Sequence, residues 1–187
     1  MVILAVVLLG LGLWAVVVFN GLIKLRNQVT NAFKQIDVQL KRRHDLIPNL
    51  VAAVKGEMKF EKETLEKVIQ ARAAAVSAGQ VGNAGDIMAK EGMLTQALGK
   101  LLAVSENYPN LKAIESVKTL MEELTHTENQ IGFSRQFYND VSTSFNTRQQ
   151  VFPTNLFASV MGFEVVALWE LPADSAEREN PKVELTV

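Results

Sequence analysis

Two histidines, His44 and His126, are the side chains of this 187-residue chain best suited to proton transfer or metal ligation near neutral pH. His44 is followed by Asp45, and His126 comes shortly after Glu122 and Glu123, but neither stands in an HExxH helix or another metal-ligand spacing. Both read as surface or capping residues. The serines are scattered, with no nucleophile elbow. The stretch Gly79-Gln80-Val81-Gly82-Asn83-Ala84-Gly85 lacks the lysine and the serine or threonine of a phosphate loop, and no strand precedes it, so it reads as a turn. No cysteine is present, which removes disulfides and thiolate-bound zinc. Met88, Met93 and Met121 fall at helical spacing and suit core filling better than a cofactor site. The expectation is a protein with no catalytic, cofactor-binding or metal-binding residues, and not an enzyme. Lys+Arg 19 against Asp+Glu 20 gives a net charge of -1, so no bulk attraction draws the chain to nucleic acid.

The charges that matter most lie inside apolar stripes. Leu22, Leu25, Val29, Ala32, Ile36, Gln39, Arg43, Leu46, Leu50 and Ala53 recur at alternating steps of three and four, which lays them on one face of a helix. Ile114, Val117, Met121, Leu124, Glu128, Ile131, Arg135, Tyr138 and Phe145 form a second such face. In an antiparallel pair the facing residue numbers have a constant sum. Setting Arg43 against Glu128 brings Asp37 within one position of Arg135 and puts Phe60 opposite Leu111, where the bundle ends. One register thus satisfies two opposite-charge pairs. These are either buried pairs or charges that snorkel to a solvated edge. Were the Arg43 pair buried, removing one partner would cost about 3–5 kcal/mol.

The elements that must carry these faces begin with a membrane segment. From Val2 to Phe19 every residue is apolar or glycine, and the first charge is Lys24. About 20 such residues in a helix cross a hydrocarbon core of roughly 30 Å. A secretory signal would show a basic n-region, a shorter apolar run and a small-residue cleavage site, which Phe19-Asn20-Gly21-Leu22-Ile23 fits poorly. The segment is therefore expected to be an uncleaved anchor. Lys24, Arg26, Lys34, Lys41, Arg42 and Arg43 follow it, opposed only by Asp37, so the positive-inside rule puts the C-terminal domain in the cytoplasm. Lys24, Arg26, Lys34 and Lys41 are also candidate contacts to anionic headgroups, each contributing about 1 kcal/mol near the surface.

Beyond the anchor, the first helix should kink or locally end at Pro48, and Gly56 suits the left-handed residue that closes a helix. A second helix is expected from Glu57 to Ala78, and a third from an Asp86 N-cap to about Glu106. Asn107-Tyr108-Pro109-Asn110 is a break in which Asn110 can cap a long fourth helix, Leu111 to Phe152, stopped by Pro153. A short apolar run with Gly162 follows, then a β-favouring patch at Val165–Leu171 and a polar tail from Pro172. A turn at Gly56 gives an up-down-up-down path, whereas an unbroken helix to Ala78 would leave the fourth helix projecting; the turn is preferred. The fold class is all-α: an anchor over 1–23, an elongated antiparallel four-helix bundle over 24–163 and an extended tail over 164–187.

The blocks NAFKQIDVQLKRRHDLIPNLVAAVKG, ETLEKVIQAR, YPNLKA, EELTHTENQIGFSRQFYNDV and FPTNLFASVMGF resemble the LemA family, in order and across nearly all of the chain beyond the anchor. The family's usual YNDxVxxYN pattern reads YNDVSTSFN here, a departure that bears on local packing. The resemblance implies a bacterial inner-membrane protein with one N-terminal span, an antiparallel helical domain and no established enzymatic activity. Its motif positions fall on Asp37, Arg42, Arg43, Asp45, Pro48, Asn49, Glu128, Asn129, Arg135, Tyr138 and Asn139. A family member associated with magnetosome formation implies a role in membrane organisation. Two functional classes follow. The first is a homo-oligomeric scaffold that shapes the bilayer, in which Gly10, Gly12 and Ala15 let spans approach closely. The second is a membrane-tethered adaptor that recruits an unidentified protein partner through an exposed helical face.

Overall fold

The computed structural model describes residues 1–56, 58, 61–81 and 83–170, the side chain of Lys112 excepted. Phe60, expected opposite Leu111, and the tail over 171–187 lie outside the described residues. The regular elements are α1 (Val2–Val54), α2 (Lys62–Val81), α3 (Ala84–Ser105), α4 (Pro109–Ala113), α5 (Glu115–Gln150) and α6 (Asn155–Ala158). Among the described residues there is no strand, so the all-α class holds. Two compact units emerge from this chain. One joins Met1–Gln39 to Gln130–Trp169, and the other is built on Leu40–Asn129.

The Leu40–Asn129 unit is a helical bundle around one core. Ile47, Leu50, Val51 and Val54 of α1 meet Leu65, Val68 and Ala75 of α2, Leu94, Leu98 and Leu101 of α3, and Val117 and Leu124 of α5. Short connections alternate the helix directions, the usual bundle arrangement. The chain turns at Lys55 and Gly56, after α1 ends at Val54. The second helix starts later than the sequence suggests: Met58 and Glu61 are not helical, and α2 begins at Lys62.

Pro48 does not end the first helix, because α1 runs through it. A proline has no N–H to give the carbonyl four residues back. That carbonyl belongs to His44, and Arg72 Nε donates to it at 2.7 Å. A side chain from α2 thus replaces the missing helical donor. The third helix is capped by Asn83 rather than Asp86: the Asn83 side chain accepts from the Asp86 N–H at 3.0 Å, so Asp86 sits inside the first turn. The long fourth helix is divided. Pro109 opens α4 after Tyr108, and Ile114 takes an extended conformation, φ -84° and ψ 107°, before α5 starts at Glu115. Asn110, expected as a cap, lies within α4.

In the other unit, Val18, Leu22, Val29, Ala32 and Ile36 of α1 are buried, as are Ile131, Tyr138 and Phe145 of α5 and Phe163 and Trp169 beyond it. The β-favouring patch does not make a strand. Its described residues, 165–170, belong to no regular element. Gly162, at φ 73°, adopts the left-handed backbone that ends the preceding turn.

Candidate functional site

The Leu40–Asn129 unit holds a charge cluster at its centre. Arg43 and Glu91 are 0% and 1% exposed. Arg43 reaches this position because it occupies the a/d-like stripe of α1, flanked by Leu40 and Ile47. Its Nη2 donates to Glu91 Oε2. Its Nη1 donates to Glu128 Oε1 at 2.6 Å and to Thr95 Oγ1 at 2.8 Å. The register inferred for Arg43 and Glu128 is therefore present, and the arginine is buried rather than snorkelling. Glu128 retains 25% side-chain exposure. His44, read from sequence as a surface or capping residue, lies inside this cluster: Nε2 is 2.8 Å from Glu91 Oε1, close enough for an ion pair when the ring is protonated, although not aligned as a hydrogen bond.

Burial alone would raise the Glu91 carboxyl, but the His44 contact and the Arg43 charge outweigh it, and the net direction is downward. Glu91 thus remains a carboxylate in the core. Its presence was missed, although a signal exists. Met88, Glu91, Leu94, Leu98 and Leu101 form the buried row of α3, and Glu91 is the one acid in it. The cluster combines a guanidinium with the carboxylates it neutralises, and among the described residues no group of histidines and acids suits a metal ion. Its chemistry is that of a structural lock: a fixed donor fork that holds α1, α3 and α5 at one register.

The remaining positions inferred for this unit are peripheral. Lys41, Asp45, Pro48, Asn49 and Asn129 are exposed. Arg42 meets Glu123 at 3.8 Å with both side chains about half exposed, a geometry in which ion pairs contribute about 0–1 kcal/mol.

A second cluster belongs to the unit formed by Met1–Gln39 and Gln130–Trp169. There the segment after Gly162 lies along α5 and is held by amide side chains. Asn146 Nδ2 donates to the Val166 carbonyl at 2.8 Å, and its Oδ1 accepts the Val166 N–H at 2.9 Å. Asn139 does the same for Trp169, at 3.0 and 2.7 Å. Tyr138 donates its hydroxyl to the Ala167 carbonyl at 2.9 Å. Two asparagines seven residues apart thus satisfy backbone groups that a neighbouring strand would otherwise pair. Burial pushes the Tyr138 phenol above its usual value, against a lowering contact from Ser142, so it remains a donor.

Aromatic packing completes this cluster. The Phe33 ring lies 5.8 Å from Tyr138 and 6.2 Å from Trp169, and the Arg135 guanidinium sits 5.1 Å from the Trp169 centroid. Asp37 is exposed, and Trp169 lies against Arg135, a contact that helix register alone does not disclose. Phe145, where the family pattern has tyrosine, is 1% exposed and packs on Phe163 at 6.2 Å. Of the membrane-surface cations, Lys24, Arg26 and Lys34 are exposed. Arg26 stacks 5.8 Å from the Phe163 centroid, while Lys34 is ten residues, about 15 Å of helix axis, beyond Lys24.

The N-terminal part of α1 is long and apolar enough to cross a membrane. Residues 2–13 of it are all exposed, unlike those of a core helix. Such a helix joined to packed, charge-locked helices defines a membrane-associated, all-helical protein. The chain belongs to the LemA family, whose description matches residues 32–185. It is 29% identical to Protein LemA of Metamycoplasma hominis over 167 residues, covering 86% of this chain and 75% of that one. It is 25% identical to Magnetosome protein MamQ 2 of Paramagnetospirillum magneticum, covering 78% of this chain but only 62% of the relative. With Magnetosome protein MamQ of Magnetospirillum gryphiswaldense it shares 22% identity, covering 88% and 70%.

Proposed function

We propose that this chain is a membrane-anchored helical scaffold that self-associates and organises the membrane that holds it, with its helical domain on the cytoplasmic face of a bacterial inner membrane. The observation that carries this reading is the continuity of α1, which leaves the apolar segment and enters the packed domain without a break. The exposed faces at Gly10 and Gly12, where an added Cβ would meet nothing within 4 Å, leave room for a second span to approach. Kinship with magnetosome proteins supports a role in membrane organisation. The cations after the span support the cytoplasmic orientation.

Because the chain has no cysteine, single cysteines give unambiguous labelling. Gly12→Cys in native membranes should cross-link to a dimer through a short thiol cross-linker. Recovery of monomer alone would remove the self-association. Gln35→Cys, exposed on α1, should react with a membrane-impermeant maleimide only after cells are opened; labelling of intact spheroplasts would reverse the orientation.

A second reading, an adaptor, is favoured by one observation. Phe133 and Phe137, a helical turn apart on α5, are 66% and 46% exposed. In that case Phe133→Ser with Phe137→Ser releases a partner that co-purifies at fixed stoichiometry and leaves the Gly12→Cys cross-link unchanged.

A further inference from the structure

No ionisable side chain occurs from Gln149 to Phe163, and this stretch lies against the anchor. The Phe157 ring meets Trp14 edge-to-face with centroids 5.3 Å apart, and Phe163 meets Phe19 at 5.8 Å. Along the helix axis, Trp14 is about 15 Å and Phe19 about 7–8 Å into the span from Lys24. Phe163 marks the polar boundary, since the Arg26 guanidinium lies over its ring at 5.8 Å. The residues before it therefore descend beside α1 to the level of Trp14, which is inside the hydrocarbon layer if Val2–Ile23 spans it.

What this segment turns outward fits that location. Phe152, Leu156 and Val160, spaced four apart, are 78%, 59% and 84% exposed. Thr154 and Ala158 face inward and are buried, while Asn155 and Ser159 are exposed beside the apolar row. The segment is thus amphipathic, the pattern of an element lying within one leaflet. It is also shorter than the roughly 20 residues needed to cross.

Backbone in hydrocarbon must satisfy its own polar groups, and here much of it does. The Asn155 N–H donates to the Val151 carbonyl, Leu156 to Pro153, and Phe157 and Ala158 both to Thr154. Met161 donates to Phe157. Gly162 to Ser159 and Phe163 to Ala158 then complete a Schellman closure around the left-handed Gly162. Pro153 has no N–H to leave unpaired.

We propose that Val151–Gly162 is a second membrane-embedded element, a loop that dips into the bilayer beside the anchor and presents Phe152, Leu156 and Val160 to lipid acyl chains. The occupant of this apolar face is lipid because the face is continuous with the span against which the segment packs. The proposal rests on the reading of Val2–Ile23 as a membrane span.

The test uses the full chain in phosphatidylcholine–phosphatidylglycerol vesicles, with an environment-sensitive fluorophore on single cysteines at Leu156 or Val160. Leu9→Cys marks the span, and Thr143→Cys, exposed on α5, marks solvent. The Leu156→Cys and Val160→Cys labels should blue-shift as the Leu9→Cys label does and be quenched by nitroxides on the acyl chains, with Thr143→Cys unaffected. A quenched Leu9→Cys beside water-like Leu156→Cys and Val160→Cys overturns the proposal while sparing the anchor. Blue-shifted labels that lipid nitroxides do not quench overturn it in favour of a protein cover. An unquenched Leu9→Cys removes the span and the proposal together.

Discussion

Replacing Arg43 by methionine removes the donor that neutralises Glu91, a carboxylate only 1% exposed. The remaining contact is His44, at 2.8 Å. Deleting one partner of a buried ion pair leaves an uncompensated charge and costs about 3–5 kcal/mol. Glu128→Gln is milder, because Glu128 is 25% exposed and Arg43 keeps Glu91; about 1–3 kcal/mol is expected, the range of one hydrogen bond to a charged group. Combining Arg43→Met with Glu91→Met removes both charges and puts apolar volume between Leu40, Ile47 and Leu94. The double variant should therefore lose less than the two single losses added together, with a coupling of at least about 2 kcal/mol. Chemical denaturation of the detergent-solubilised full chain, followed by far-ultraviolet circular dichroism, gives all four corners of the cycle. Losses that add to within about 0.5 kcal/mol would show that Arg43 and Glu91 do not act as a pair, and the lock would have to be abandoned.

Three further outcomes follow from the same contacts. The Glu91 carboxyl is held below its ordinary value of 4.5 in the folded chain, so the unfolded chain binds more protons between the two values. The stability it contributes is complete above about pH 4.5 and lost as pH falls through the folded value; Glu91→Gln should flatten this acid limb, and parallel acid titrations of variant and wild type would contradict it. Arg72→Met leaves the His44 carbonyl without the donor that replaces the Pro48 N–H, a loss of about 1–3 kcal/mol; restoration of wild-type stability by adding Pro48→Ala, which supplies an N–H again, is the expected signature. Asn139→Asp keeps the acceptor for the Trp169 N–H but turns a carboxylate oxygen toward the Trp169 carbonyl. It should cost about 1–3 kcal/mol and red-shift the emission of Trp169, one of only two tryptophans; unchanged emission would mean that the clamp is not formed.

Much of the architecture was written in spacing. The stripe from Leu22 to Ile36 and the pairing of Arg43 with Glu128 follow from helical periodicity, because buried faces must repeat every three to four residues. Other features depend on contacts remote in the chain. Glu91 sits 48 residues from Arg43, so its role needed the α3 row to be read together with the α1 row. The donor that replaces the Pro48 N–H comes from Arg72 on α2, which no local rule anticipates. Ile114 breaks the fourth helix with neither glycine nor proline at that position. The segment around Val166 is β-favouring in composition, yet its backbone pairs with asparagine side chains rather than with a strand, an outcome set by tertiary partners.

The most direct test of a permanently anchored helical protein is the intact mass of the chain recovered from membranes after alkaline carbonate washing. Retention in the pellet with residues 1–23 still attached is the predicted result. Release into the supernatant as a chain that begins near Lys24 would contradict it.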